Sequence, residues 1–408
     1  MPAGARRATP LVREGRRVTA PRFELRSGET WRDPFPMYAA LREHDPVHHV
    51  AKGDFWVLTR FEDVWAAAGD PATFSSASGL TVAYDELATT GLSVAMPMVF
   101  LDPPAHTAFR RLVTKDLTPR AVSTIEPAVR AFVVERIESA RAAGAVDVVA
   151  HLCKPLPSFV VAHYLGVPVA DRPLFDRWTE AIVQSAAQGK ATAGGGPFTE
   201  LLGYFAELIA RRRVEPADDI VSDLARLGED TVTGARILGF AFTMVTGGND
   251  TATGMLAGAA CLLTERRDAR AALLADPALV PNAVEEILRL TSPVQNLART
   301  TTRDVTIRDA TIPAGRKVLL GYGAANRDPR EFGPTAETLD VRRRIAKILA
   351  FSYGTHYCIG AAAARLQGRV VIEEMLRRCP DFTVDVAAGR YAEGNYVRRH
   401  LSLPWQAG

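Results

Sequence analysis

The chain has 408 residues, 47% of them hydrophobic, and a formal net charge of +3 from 49 Lys and Arg against 46 Asp and Glu. That is the make-up of a globular chain with a large core, and so even a balance excludes a protein held to nucleic acid or to a membrane surface by bulk charge. Cys153, Cys261, Cys358 and Cys379 are too widely spaced for a disulfide framework, so they are expected to be reduced.

Residues 1–30 are rich in Arg and carry no apolar run. They lack both the core of a signal peptide and the roughly 20 apolar residues of a spanning helix, and they read as a flexible basic leader on a cytoplasmic protein without membrane insertion. A helix is predicted over 37–44, then a hairpin of 48–50 and 55–59 around Gly53-Asp54. Residues 75–100 show no clean period and are expected to loop. Helical patterns dominate 105–292, including 171–187 and 197–213, joined by the Gly-rich patch 191–196 as a flexible connection.

Residues 232–264 form a long helix, apolar on nearly every face and therefore buried. Its middle reads Thr246-Gly247-Gly248-Asn249-Asp250-Thr251, and two adjacent poor helix formers mark a kink or widened turn. The next helix, 279–291, places Glu286 and Arg289 three apart on one face. Strand signals follow at 305–307, 318–320, 382–384 and 401–403, so helix far exceeds strand.

The loop Phe351-Ser352-Tyr353-Gly354-Thr355-His356-Tyr357-Cys358-Ile359-Gly360 precedes an Ala-rich helix start. The metal-ligating form of cysteine is the thiolate, and the unpaired N–H groups of a helix N-terminus favour it. Gly354 permits a turn closed to other residues, and Gly360 lets backbone approach the sulfur. With no second cysteine nearby, zinc and iron–sulfur clusters are disfavoured. One thiolate on one iron, with the opposite face open, points to haem.

At this loop, Phe-x-x-Gly-x-His-x-Cys-x-Gly resembles the haem-ligand signature of the cytochrome P-450 family. The resemblance implies a mainly α fold with small β-sheets, a single domain over 31–408 around haem b, and Cys358 as the iron ligand with Phe351 and Gly360 beside it. It implies propionate contacts from His106 and Arg110 in the run from Asp102 to Arg110, and from Arg299 and His356. Asp250-Thr251 matches the family's acid–alcohol pair, Thr251 hydrogen-bonding dioxygen or its water and Asp250 delivering protons. Glu286 and Arg289 match a buried scaffold pair. Its third member is open, because Thr338 stands where many members carry Arg.

The implied activity is insertion of one oxygen atom of O2 into an apolar small molecule. No flavin or nicotinamide motif is present, so electrons are expected from NAD(P)H through ferredoxin reductase and ferredoxin. Arg342, Arg343, Arg344, Lys347, Arg365 and Arg369, with Arg111 and Lys115, are expected to form a basic face for the ferredoxin. Substrate lining is assigned to 76–100, 185–199, Gly247, Gly248, Val294, Gln295, Asn296 and Tyr396, with Gln295 as a polar anchor. A peroxide-using haem-thiolate enzyme and a non-catalytic haem ligand-binding protein are the alternatives. The acid–alcohol pair argues against both.

Overall fold

A computed structural model describes residues 21–90, 96–187 and 196–408. Most of residues 1–30, and the Gly-rich patch up to residue 195, lie outside the described residues. From Phe23 the chain is already packed: Trp31 is wholly buried, its indole N–H donating to Gly394 O at 2.7 Å. The leader expected over 1–30 therefore ends earlier than composition suggested, because Phe23 and Trp31 supply large apolar groups that are buried inside the fold.

Helices dominate. The longest, Gly234–Glu265, packs against Pro155–Tyr164, Pro197–Val214, Val280–Thr291 and Ala361–Arg378. Its apolar faces are buried almost all round, as the predicted range 232–264 required. It stays α-helical through Gly247 and Gly248, so the expected widened turn is absent. The hydroxyls of Thr246 and Thr251 and the Asn249 amide instead donate to carbonyls four residues back, a pattern that bends helices gently without breaking them. Three of its glycines sit where neighbours come close. A methyl at Gly248 would meet Val161 at 2.8 Å, one at Gly254 would meet Arg398 O at 2.8 Å, and one at Gly258 would collide with Thr291.

The main sheet has five strands in the order Val47–Val50, Phe55–Leu58, Lys317–Leu320, Leu297–Thr301 and Phe74–Ser75. The hairpin fell where Gly53-Asp54 placed it. Phe55–Leu58 then pairs parallel with Lys317–Leu320, which pairs antiparallel with Leu297–Thr301. That last strand was missed, because its sequence Leu-Ala-Arg-Thr-Thr alternates too weakly. Residues 75–100, expected as loop, hold the end of the strand Phe74–Ser75, the helix Glu86–Thr90 and the turn Met98–Phe100.

Candidate active site

The Cys358 loop is held by its own backbone. Cys358 N–H donates to Phe351 O at 2.9 Å, Tyr357 N–H donates to Gly354 O at 3.0 Å, and the helix Ala361–Arg378 starts three residues after the cysteine. Gly354 has φ +70, and a methyl there would face Ala68 O at 3.0 Å, so both conformation and space demand glycine. Gly360 is different. A methyl would lie 3.9 Å from the sulfur, an ordinary contact, so its value lies in the N–H it turns towards Cys358.

The sulfur is open to a cavity of about 770 Å³ on this side of the molecule, lined by Arg110, Leu117, Val122, Ile359 and Arg365 among others. Its thiol is pushed up by the dense protein around it, against the Gly360 N–H, Arg110 and Arg365, which pull it down. The stabilisers expected from the sequence are in place, but in the bare chain they do not outweigh burial; a bound cation would, since a coordinating thiol is deprotonated outright. Cys261 makes the contrast. It is buried in the long helix 4.0 Å from His400 Nε2, and burial pushes its thiol to about 12 with only Arg398 and its own backbone N–H opposing.

Four cationic or imidazole groups gather at the loop, one of them, His356, contributed by the loop itself. The helix Ala105–Val113 starts after Asp102-Pro103-Pro104, and the Asp102 carboxylate fastens its entrance by accepting from the Ser75 hydroxyl and from Ser76 N–H. His106 and Arg110 thereby face the loop: the His106 and His356 ring centroids are 4.3 Å apart, and Arg110 Nη1 donates to Thr355 O at 3.3 Å. Arg299 comes from the sheet and is buried, donating among the described residues to Ala298 O. His356 Nε2 lies 3.1 Å from Ser76 Oγ. Burial first, then Arg299, His106 and Arg110, push the His356 imidazole down to about 3.

Neither arginine of this cluster has a carboxylate partner among the described residues, and His106 Nδ1 is buried without any hydrogen-bond partner. Buried cations require counter-charge. Two carboxylates held between these four side chains would satisfy both deficits, and haem carries two propionates. The residues present fit the group.

On the long helix, Thr251 Oγ1 donates to Gly247 O at 2.8 Å, and a methyl at Gly247 would meet nothing within 4 Å, so this stretch borders open space. Asp250 forms an ion pair with Arg399, Oδ1 to Nε 2.8 Å. Burial raises its carboxyl above the usual range, opposed by Arg399 and then Lys154. Sequence reasoning missed Arg399, since nothing in Asn395-Tyr396-Val397-Arg398-Arg399 signals which arginine turns inward.

The residues assigned to substrate lining make contacts of their own. Gln295 is buried with its amide N–H donating to Thr291 O and Ser292 O, which brace the chain, while its oxygen lies beside Gly323 with no hydrogen-bond partner among the described residues. Asn296 donates to Asn395 O at 3.3 Å. Val294 bridges Val397. Gly248 faces Val161, a helix contact. Tyr396 stays near Asp250, which helps burial raise its phenol to about 12.

Glu286 and Arg289 are fully buried and bidentate, at 2.7 and 2.8 Å. The open third place is filled by Arg343, whose Nε lies 3.0 Å from Glu286 Oε1 and whose other nitrogens donate to Phe332 O and Thr335 O. The expected basic face changes accordingly. Arg343 is a scaffold residue, Arg365 pairs with Glu285, Arg369 with Glu126 and Glu373, Lys115 with Asp223, and Lys347 with Glu331. Arg111, Arg342 and Arg344 are exposed and have no ion pair among the described residues.

A thiol on a backbone-braced loop, arginines beside it without carboxylate partners among the described residues and an acid next to an alcohol on a long buried helix are the features that the family resemblance implied. Comparison agrees. The family profile described as Cytochrome P450 matches residues 261–389. The chain is 57% identical to Cytochrome P450 130 of Mycobacterium tuberculosis, covering 95% of this chain and 98% of that one. It is 34% identical to Vitamin D(3) 25-hydroxylase of Pseudonocardia autotrophica, over 94% and 96% of the two chains. The solved structure of Cytochrome P450 CYP109Q5 from Chondromyces apiculatus superposes with a TM-score of 0.83 at 32% identity, over 93% and 96%. The chain belongs to the cytochrome P450 family of haem-containing monooxygenases, and no helix among its described residues is long and apolar enough to cross a membrane.

Proposed function

We propose that Cys358 is the iron ligand of haem b, that His106, Arg110, Arg299 and His356 hold its propionates, and that the enzyme inserts one oxygen atom of O2 into an apolar small molecule. The observation that carries this reading is the convergence on the Cys358 loop of buried Arg299 and half-buried Arg110, neither with a carboxylate partner among the described residues, and of an orphaned His106 Nδ1. When bound, haem supplies the activation of dioxygen and the storage of electrons, which amino-acid side chains cannot provide.

The chain's own residues do the rest. Gly360 N–H, Arg110 and Arg365 stabilise the Cys358 thiolate. Asp250 takes protons from the solvent side and releases them from its carboxyl oxygens towards the Thr251 hydroxyl, which orients water over the open space at Gly247. Glu286, Arg289 and Arg343 brace the approach to the loop. Electrons come from NAD(P)H through a ferredoxin reductase and a ferredoxin that docks beside Cys358, where Arg111, Arg342 and Arg344 remain for an acidic partner. An apolar substrate accords with the relative named for acting on vitamin D(3). Four unpaired cysteines suit a cytoplasmic setting.

The test is the Soret band of the reduced, carbon monoxide-bound protein. Cys358→Ser should abolish the thiolate-type band, and Cys261→Ser should keep it; the reverse result overturns the assignment. Turnover with hydrogen peroxide and no redox partner would favour the peroxide-using alternative.

A further inference from the structure

The turn bearing Arg399 is fixed without using that residue's side chain. Trp31 Nε1 donates to Gly394 O at 2.7 Å, Gln295 N–H to Tyr396 O at 2.7 Å and Arg398 N–H to Pro293 O at 2.8 Å. Arg398 Nε donates to Trp31 O at 2.7 Å. The long helix closes on the same turn through Gly254, where even a methyl would meet Arg398 O at 2.8 Å and Arg399 Cβ at 3.3 Å. Asp250 and Gly254, four apart, share that helical face. The guanidinium of Arg399, only 8% exposed, is thus delivered to Asp250 by a rigid backbone, and Asp250 is its sole ion-pair partner among the described residues. The other groups facing Asp250 are Tyr396 on the turn and Lys154 at the start of the helix Pro155–Tyr164.

We infer that Arg399 is the positioning residue of the proton relay: it fixes the Asp250 carboxylate and sets the pH range over which that carboxylate can cycle. The inference rests on Asp250 being the relay acid. A buried carboxyl with no cation would stay protonated and could not release its proton, whereas an unbroken ion pair would hold it ionised and keep it from being recharged from solvent. Arg399 on one side and burial on the other leave it between these limits. The 293–296 segment that pins the turn runs directly into the strand bearing Arg299, so the relay and the cation cluster share one backbone support.

The experiment uses the haem-loaded enzyme, reduced by NADPH through a plant-type ferredoxin and its reductase. It reads the rate of NADPH oxidation against pH, its solvent deuterium effect and the hydrogen peroxide formed per NADPH. The carbon monoxide band and imidazole binding serve as checks of the fold. Arg399→Met should slow oxidation about ten- to a hundredfold, raise peroxide and the isotope effect, and move the carboxylate-governed limb to higher pH. Arg399→Lys should move that limb part of the way and restore rate, and Asp250→Asn should abolish the limb. The double variant Asp250→Asn/Arg399→Met should be no slower than Asp250→Asn, because one residue acts through the other. An unmoved limb in Arg399→Met, or additive losses in the double variant, overturns the inference. An unchanged isotope effect and peroxide yield in Asp250→Asn overturns the relay reading itself. Should Arg399→Met hold no haem, Arg399→Lys decides: a limb that does not move at all refutes the idea.

Discussion

Removing the charge of Glu286 tests how the scaffold is held. Its carboxylate accepts from Arg289 at 2.7 and 2.8 Å, from Arg343 Nε at 3.0 Å and from Asp340 N–H at 3.2 Å, with both Glu286 and Arg289 at 0% exposure. Arg289 also donates to Asn326 O and Ala336 O and lies 4.6 Å over the Phe332 ring, so it cannot swing out to water. Glu286→Gln would therefore strand a buried cation, at a cost of about 3–5 kcal/mol. Arg343→Ala leaves the inner pair intact and removes charge-assisted bonds worth about 1.5–3 kcal/mol. Arg342→Ala, one residue away and exposed, should change stability by less than about 0.5 kcal/mol. A chain of this length unfolds with an entropy of roughly 0.9 kcal/mol/K, so a loss of about 4 kcal/mol lowers the thermal midpoint by about 5 °C. The assay is thermal unfolding of the three variants followed by circular dichroism. Equal midpoints for Arg343→Ala and Arg342→Ala would refute Arg343 as the third member, and a Glu286→Gln midpoint above that of Arg343→Ala would refute the stranded-charge argument.

Three further outcomes follow from the same geometry. Arg344→Glu should slow ferredoxin-supported reduction at low salt without moving the thermal midpoint, and an unchanged rate removes the docking role; charge reversal at Arg343 would be uninformative, since it unfolds the scaffold first. Gly254→Ala drives a methyl against the Arg398 carbonyl and should cost about 1–3 kcal/mol, read as a lower urea midpoint, and a wild-type midpoint would show that the helix and turn are less closely packed. His400 is buried and its imidazole is pushed down to about 4 from 6.5, chiefly by burial. The unfolded chain thus takes up this proton first as pH falls, so the stability owed to the neutral ring is complete above about 6.5 and is lost towards about 4. His400→Gln should flatten the fall of the urea midpoint across that window, and an identical slope counts against the argument.

Much of the architecture was legible wherever one stretch of chain carries its own signal. The long helix needed only its apolar run: 232–264 was read and Gly234–Glu265 is observed. The hairpin needed only Gly53-Asp54 between apolar residues. Strands of two to five residues, such as Phe74–Ser75 and Leu297–Thr301, were missed because pairing across the sheet, and no local pattern, creates them. The widened turn expected at Gly247-Gly248 was over-read, since the α-helix packed among its neighbours continues through a locally weak sequence.

Short-range chemistry was legible along the chain: a lone cysteine in a Gly-bracketed loop, an acid next to an alcohol, a glutamate three residues from an arginine. These need only neighbours along the chain, and spacing reports neighbours. The tertiary structure alone decided the partners of the charges. Arg343 closes on Glu286, Arg399 on Asp250, and Arg365 and Arg369 are neutralised where a docking face was expected. A buried charge is stabilised by whatever the fold brings within a few ångströms, and that distance is set by packing, which residue numbers do not encode.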